Sequence, residues 1–264
     1  MNNTAPIGFF DSGVGGTSIW KEVTQLLPNE NSIYLADSRN APYGEKPATE
    51  IISLSRKNTE KLIEMGAKLI VVACNTATTN AIDSLRTNYS IPFIGIEPAL
   101  KPAATNSIGK SIGILATKGT LTSKLFAKTS ELYASNINII EVVGVGLVKL
   151  IEEGKKDSPE MESLLRDLLD PMLKAQIDYL VLGCSHYPYL TPKLKEILPA
   201  SVKIIDSGEA VARQTKRILE RFDLFNTSGQ VSKHKLFSNT NPEVLANLVG
   251  EIINPSIEVS YMDF

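Results

Sequence analysis

Cysteine and histidine are scarce in this chain. Among 264 residues there are two of each: Cys74, Cys184, His186 and His234. A structural zinc site built from four Cys and His ligands at close spacing is not available. No Cys-x-x-Cys pair exists, so a dithiol redox centre is not indicated either. Long apolar runs are also missing. The longest, such as Leu69–Ala73 and Tyr179–Leu182, fall far short of the roughly 20 residues that span a bilayer. Nor does one sign of charge dominate: 27 Lys and Arg face 29 Asp and Glu, and the basic residues are scattered. That argues against a nucleic-acid surface, which needs a basic stripe. The opening MNNTAPIGFF has no basic stretch leading into an extended apolar segment, so no secretory signal is read. The expected compartment is the cytosol, where thiols stay reduced and a disulfide is not expected.

Regular alternation is what the chain does have. Short runs rich in Ile, Val and Leu read as strands near Ile7–Phe10, Ile33–Ala36, Leu69–Ala73 and Phe93–Ile96. A second set falls near Ile112–Ala116, Ile137–Val142, Tyr179–Gly183 and Val202–Ile205. Amphipathic stretches such as Thr17–Leu27, Glu50–Met65 and Glu160–Ala175 separate them, many followed by Gly, Pro or Asn signals. Strand–helix alternation implies parallel sheets covered on both faces. Each later run begins about 104 to 110 residues after its earlier counterpart. The expected fold is α/β, with two pseudo-symmetric doubly wound domains, mainly parallel sheets, and the active site in the cleft between them. The tail reads as a helix over Asp206–Phe225, then runs at Gln230–Phe237 and Ile257–Met262. It is expected to return to the first half. The resulting domains are 1–97 plus 210–264, discontinuous, and 98–209.

Under this alignment Cys74 and Cys184 share one position, just past the third strand of each half, in VVACNTATT and VLGCSHYP. Sites in open parallel sheets gather at the carboxyl ends of strands, so facing halves put the two thiols on opposite walls of a cleft. A 1,1-proton transfer at a tetrahedral carbon needs a base on one face and an acid on the other, and two thiols can exchange those roles. A cysteine hydrolase with His186 as base to Cys184 remains an alternative, though it leaves Cys74 without a task. A small-anion binding protein without turnover is a second alternative. A free thiol is only a few per cent thiolate at pH 7, so each cysteine needs a neighbour. His186 is the local candidate for Cys184, and Asp11, at the end of the first strand, for Cys74. The glycine-rich turn DSGVGG at 11–16 offers backbone N–H groups to an anion. It fits neither a dinucleotide fingerprint nor a phosphate-binding P-loop, and a carboxylate or ammonium suits it better. Asn75, Thr76, Thr117 and Ser185 add short polar side chains at strand ends.

At these residues the chain closely resembles the glutamate racemases of the aspartate/glutamate racemase superfamily. The matching segments are FDSGVGG at 10–16, APYGEK at 41–46, ACNTAT at 73–78, GIEPA at 95–99, ATKGT at 116–120, GCSHYP at 183–188 and IDSGEAVA at 205–212. The resemblance implies interconversion of L- and D-glutamate without pyridoxal phosphate or metal, supplying D-glutamate for bacterial peptidoglycan. It implies that Cys74 and Cys184 are the two acid/bases, and that Asp11–Ser12, Tyr43–Gly44, Asn75–Thr76 and Ser185–His186 hold the substrate. It places polar assistants near the thiols, matching Asp11, His186, Asp37 and Glu152, and it implies a homodimer. Two positions bear on the substrate. Ser185 stands where the family usually has Thr, keeping the hydroxyl and losing a methyl group. His186 stands where related aspartate racemases generally carry Glu, which favours glutamate.

Overall fold

The computed structural model describes residues 3–133, 136–250 and 257–264. Among the described residues, ten strands form two sheets. In chain order they are β1 (Ile7–Asp11), β2 (Ser32–Ala36), β3 (Leu69–Val72), β4 (Phe93–Gly95), β5 (Ser111–Ala116), β6 (Asn138–Val143), β7 (Tyr179–Gly183), β8 (Lys203–Ile205), β9 (His234–Ser238) and β10 (Ile257–Tyr261). The first sheet runs β10-β9-β2-β1-β3-β4 and the second β6-β5-β7-β8. Every pairing in both is parallel. The order β2-β1-β3-β4 recurs as β6-β5-β7-β8, so the repeat expected from strand spacing is a repeat of topology. The central strands β3 and β7 are buried throughout, which is why they read as unbroken apolar runs rather than alternating ones.

Register then fixes where the thiols come to lie. Phe10 pairs with Val72, so Ser12 and Cys74 leave the sheet side by side. Ala116 pairs with Gly183, so Thr117 and Cys184 do the same in the second half. One apolar cluster joins the halves, running from Ile7, Phe9 and Trp20 to Leu115, Leu150, Leu165 and Leu180. Both tail strands belong to the first sheet, β9 beside β2 and β10 at the edge. Trp20 Nε1 and His234 Nδ1 meet at the Ser32 hydroxyl, each at 2.8 Å, tying the tail to the first helix. A buried ion pair closes the far end: Lys68 Nζ lies 2.5 Å from Glu30 Oε2. No helix among the described residues is long and apolar enough to cross a membrane.

Element ends differ from the sequence reading by a few residues, for local reasons. The third strand stops at Val72 because Cys74 already caps the next helix. The tail helix occupies Gly208–Arg221, since Asp206 turns back to accept the Gly208 N–H at 2.7 Å. That helix packs on the helix Thr17–Leu26 of the first half. A boundary at 209/210 would cut its first turn, so we propose the second chain crossing at Asp206–Ser207 and keep the first at 97/98.

Candidate active site

Twelve residues line one small cavity between the halves: Ser12, Pro42, Tyr43, Gly44, Cys74, Asn75, Thr76, Thr117, Val148, Cys184, Ser185 and His186. Both cysteines are among them. Its volume is about 10 Å³, no more than a single water needs. An amino acid does not fit such a space, so entry requires the walls to part. The walls are held by contacts on either side of the cavity. Thr76 Oγ1 lies 2.8 Å from Thr117 Oγ1, and Asn80 Nδ2 donates to Gly119 O at 3.1 Å. Opposite them, Ser18 Oγ donates to Ser185 O at 2.8 Å and Thr17 Oγ1 lies 2.6 Å from Tyr189 OH.

Cys74 is the N-cap of the helix Asn75–Asn88, its Sγ accepting the Ala77 N–H at 3.4 Å. The positive end of that helix favours negative charge on the sulfur. Burial works the other way and dominates, and the Asp11 carboxylate adds to it, so the thiol is held well above its ordinary value. Asp11 is itself fully buried. Its Oδ2 accepts the Gly16 N–H at 2.9 Å and its Oδ1 the Ser185 hydroxyl at 3.2 Å. Burial raises its pKa above the usual aspartate value, against the pull of His186. A raised carboxyl is a stronger base, matched to a thiol that gives up its proton reluctantly.

Cys184 has the opposite kind of neighbour. Its Sγ lies 3.7 Å from His186 Nδ1, and His186 Nε2 lies 2.6 Å from Glu152 Oε1. Burial alone would lower the imidazole's pKa. The hydrogen bonds to Cys184 and Glu152 outweigh it, and the ring stays protonated well above its usual range. As an imidazolium it donates to the carboxylate from one nitrogen and to the sulfur from the other. Glu152 is fixed in turn by the Val14 N–H at 2.6 Å and the Ser38 hydroxyl at 2.8 Å. The glycine-rich turn therefore holds two carboxylates of this chain: its N–H groups at 14 and 16 are taken by Glu152 and Asp11.

A side chain at position 15 would collide with the His186 ring. Gly15→Ala is thus expected to tilt the imidazole and lower kcat/KM by about 10²-fold, since displacements near 1 Å cost that much. Far-ultraviolet circular dichroism of the variant should match the parent.

The remaining sequence candidates divide into two groups. Asn75, Thr76, Thr117, Ser12, Tyr43, Gly44 and Ser185 line the cavity. Both side-chain atoms of Asn75, Oδ1 and Nδ2, are buried without a hydrogen-bond partner. Asp11, Glu152 and Asp37 stand behind the lining. Asp37 approaches neither sulfur among the described hydrogen bonds; it accepts the Tyr43 hydroxyl at 2.5 Å. Sequence reasoning missed Pro42 and Val148 in the lining. Pro42 lies inside the APYGEK segment, whereas Val148 carries no signal beyond being apolar. Thr120, which joins the Thr76–Thr117 hydroxyl pair at 3.3 and 3.0 Å, was also passed over.

Residues 16–215 match the Asp/Glu/hydantoin racemase family. The chain belongs to it. Similarity to individual relatives extends over most of the racemase. It is 42% identical over 252 residues to the glutamate racemase of Cupriavidus pinatubonensis, covering 96% of this chain and 93% of that one. To the glutamate racemase of Ectopseudomonas mendocina it is 47% identical over 229 residues, 86% of this chain and 87% of that one. Glutamate racemase isoform RacE1 from Bacillus anthracis superposes with a TM-score of 0.87 at 30% identity, covering 100% of this chain and 99% of that one. The Escherichia coli glutamate racemase, solved with L-glutamate and the activator UDP-MurNAc-Ala, gives 0.86 at 30% identity over 98% of both chains. The racemase is accordingly an isomerase, with the two-domain α/β fold of these structures.

Proposed function

We propose that this racemase interconverts L- and D-glutamate by a two-base 1,1-proton transfer between Cys74 and Cys184. The observation that carries the reading is that both cysteines line one small cavity from equivalent positions in the two halves. For D-glutamate, Cys74 as thiolate takes the α-proton while the Cys184 thiol protonates the opposite face of Cα. Turnover leaves Cys74 protonated and Cys184 as thiolate, which is the starting state for L-glutamate. Asp11 accepts and returns the Cys74 proton, and the His186 imidazolium, backed by Glu152, stabilises charge at Cys184. The unpartnered donor and acceptor of Asn75 suit the ammonium and carboxylate of an amino acid. The difficulty of the reaction is the weak acidity of the α-proton. Closing the cavity excludes water and strengthens every fixed dipole around the developing carbanion.

Circular dichroism of L-glutamate incubated with the protein tests this directly. Decay of the signal to zero supports racemisation. Saturable binding without α-proton exchange would leave a binding protein, and an acyl-enzyme indifferent to Cys74 would leave a hydrolase. The motif pattern's resemblance to glutamate racemases supports a supply of D-glutamate to peptidoglycan and a homodimer.

The charge state of His186 gives a pH prediction. Its folded pKa is raised, so the imidazolium and its pairing with Glu152 are fully present below about pH 6.5. Both are lost as pH rises through the folded value. Glu152→Gln removes one of the partners that raise it. The alkaline fall in kcat is expected to move to lower pH in this variant, together with the His186 titration followed by NMR.

A further inference from the structure

We propose that Asn239, in the tail, is a positioning residue for the reaction above, acting through Asp37 to set the wall formed by Tyr43 and Gly44. The inference rests on the glutamate reading of the site and adds to it a residue some 165 positions from Cys74 in sequence. Asn239 follows β9, whose last residue Ser238 pairs with Ala36 at the end of β2. Its own N–H continues that ladder to Ala36 O at 3.3 Å. This puts its side chain, 1% exposed, beside the loop that leaves β2.

Both ends of the amide are used there. Nδ2 donates to Asp37 Oδ1 at 2.6 Å, and Oδ1 accepts the Arg39 N–H at 2.9 Å. Asp37, also 1% exposed, collects two further side chains: Asn40 Nδ2 on Oδ1 at 2.8 Å and Tyr43 OH on Oδ2 at 2.5 Å. Asn58 Nδ2 completes the chain by donating to the Tyr43 hydroxyl at 3.0 Å. The phenol is therefore anchored away from the reacting atoms, and what Tyr43 and Gly44 offer the cavity is a surface of fixed position. That surface meets the second half closely, since a Cβ on Gly44 would press on Thr117 at 2.7 Å. An anchor that slips moves the seam between the two walls. Outside, the Arg39 guanidinium grips Asn239 O, Tyr261 OH and Asp263, so the tail holds the loop from two sides.

A positioning role and a merely structural one differ in what they do to kinetics. Loss of fold lowers the active fraction, and with it kcat per chain, leaving KM where it was. A displaced binding wall raises KM. Asn239→Asp keeps the acceptor for Arg39 and sets a second carboxylate against Asp37. We expect KM for both glutamate enantiomers to rise about tenfold in this variant, with kcat within about threefold of the parent. Unchanged KM in folded Asn239→Asp overturns the proposal. If Asn239→Asp does not fold, Asn239→Ser, which loses the amide without adding charge, decides by the same KM measurement. An unsubstituted enzyme that leaves glutamate optically unchanged overturns the glutamate reading itself, an outcome distinct from a normal enzyme whose KM ignores position 239.

Discussion

Racemisation of glutamate is expected to fall about 10³-fold in Cys74→Ser and again in Cys184→Ser, the loss typical of removing a positioned acid/base. Serine keeps the size and the hydrogen bond but is far too weak an acid to alternate between the protonated and ionised forms near neutral pH. The two variants differ in what survives. Cys74→Ser keeps the thiol that attacks L-glutamate, so in D₂O it should exchange the α-hydrogen of L-glutamate faster than it inverts it. Cys184→Ser should do the same with D-glutamate. Wild-type rates of racemisation in both single variants would end the two-thiol scheme. The unequal neighbours of the sulfurs, a carboxylate at one and an imidazolium at the other, cannot make kcat/KM differ between directions. Enantiomers have equal free energies, so the two values must match in every variant. The inequality must surface in the isotope effects, measured separately from L- and D-glutamate deuterated at Cα.

Lys68→Met is expected to cost about 3–5 kcal/mol of stability, the range for removing one partner of a buried ion pair. The ammonium is completely buried and Glu30 nearly so. Besides Glu30, it donates to the carbonyls of Asn3 and Leu224, each at 2.7 Å. Methionine fills the volume but leaves the carboxylate and both carbonyls without that donor, while the Asn226 N–H at 2.8 Å still reaches Glu30 Oε1. Urea unfolding of the variant measures the loss. Adding Glu30→Leu removes the stranded charge and should recover a large part of it; a further equal loss would mean that the pair is not the reason for the cost.

The sequence carried the fold to the level of topology. Fully buried parallel strands are continuous apolar runs, so β3 and β7 announce themselves, and the thiols at their ends follow by counting. Short polar side chains at strand ends, from Asn75 to Ser185, were legible for the same reason. What periodicity does not encode is which way a side chain turns once it leaves the strand. Glu152 came into view only through family resemblance, because its partners Val14, Ser38 and His186 lie in three distant segments. Asp37 was placed with the thiols on the same resemblance, while its hydrogen bonds lead to Tyr43. Asn239 gave no signal at all: its position depends on β9 pairing with β2, a contact across some 200 residues. The near-equivalence of the cysteines also hid a difference. Cys74 caps a helix directly, whereas Cys184 is followed by a short 3₁₀ turn, Tyr187–Leu190, before its helix begins.

The divided first sheet has a consequence for the growing chain on the ribosome. Residues 111–205 supply all four strands of the second sheet, so these strands are synthesised before the tail strands of the first. The first sheet cannot be completed until β9 and β10 have left the exit tunnel, and until then the edge of β2 stands open to pairing with other chains. The nascent chain therefore holds both thiols, and the loop of Tyr43 and Gly44 beside them, long before it holds Asn239, which bonds that loop at Asp37 and Arg39. That anchor arrives last, with the tail.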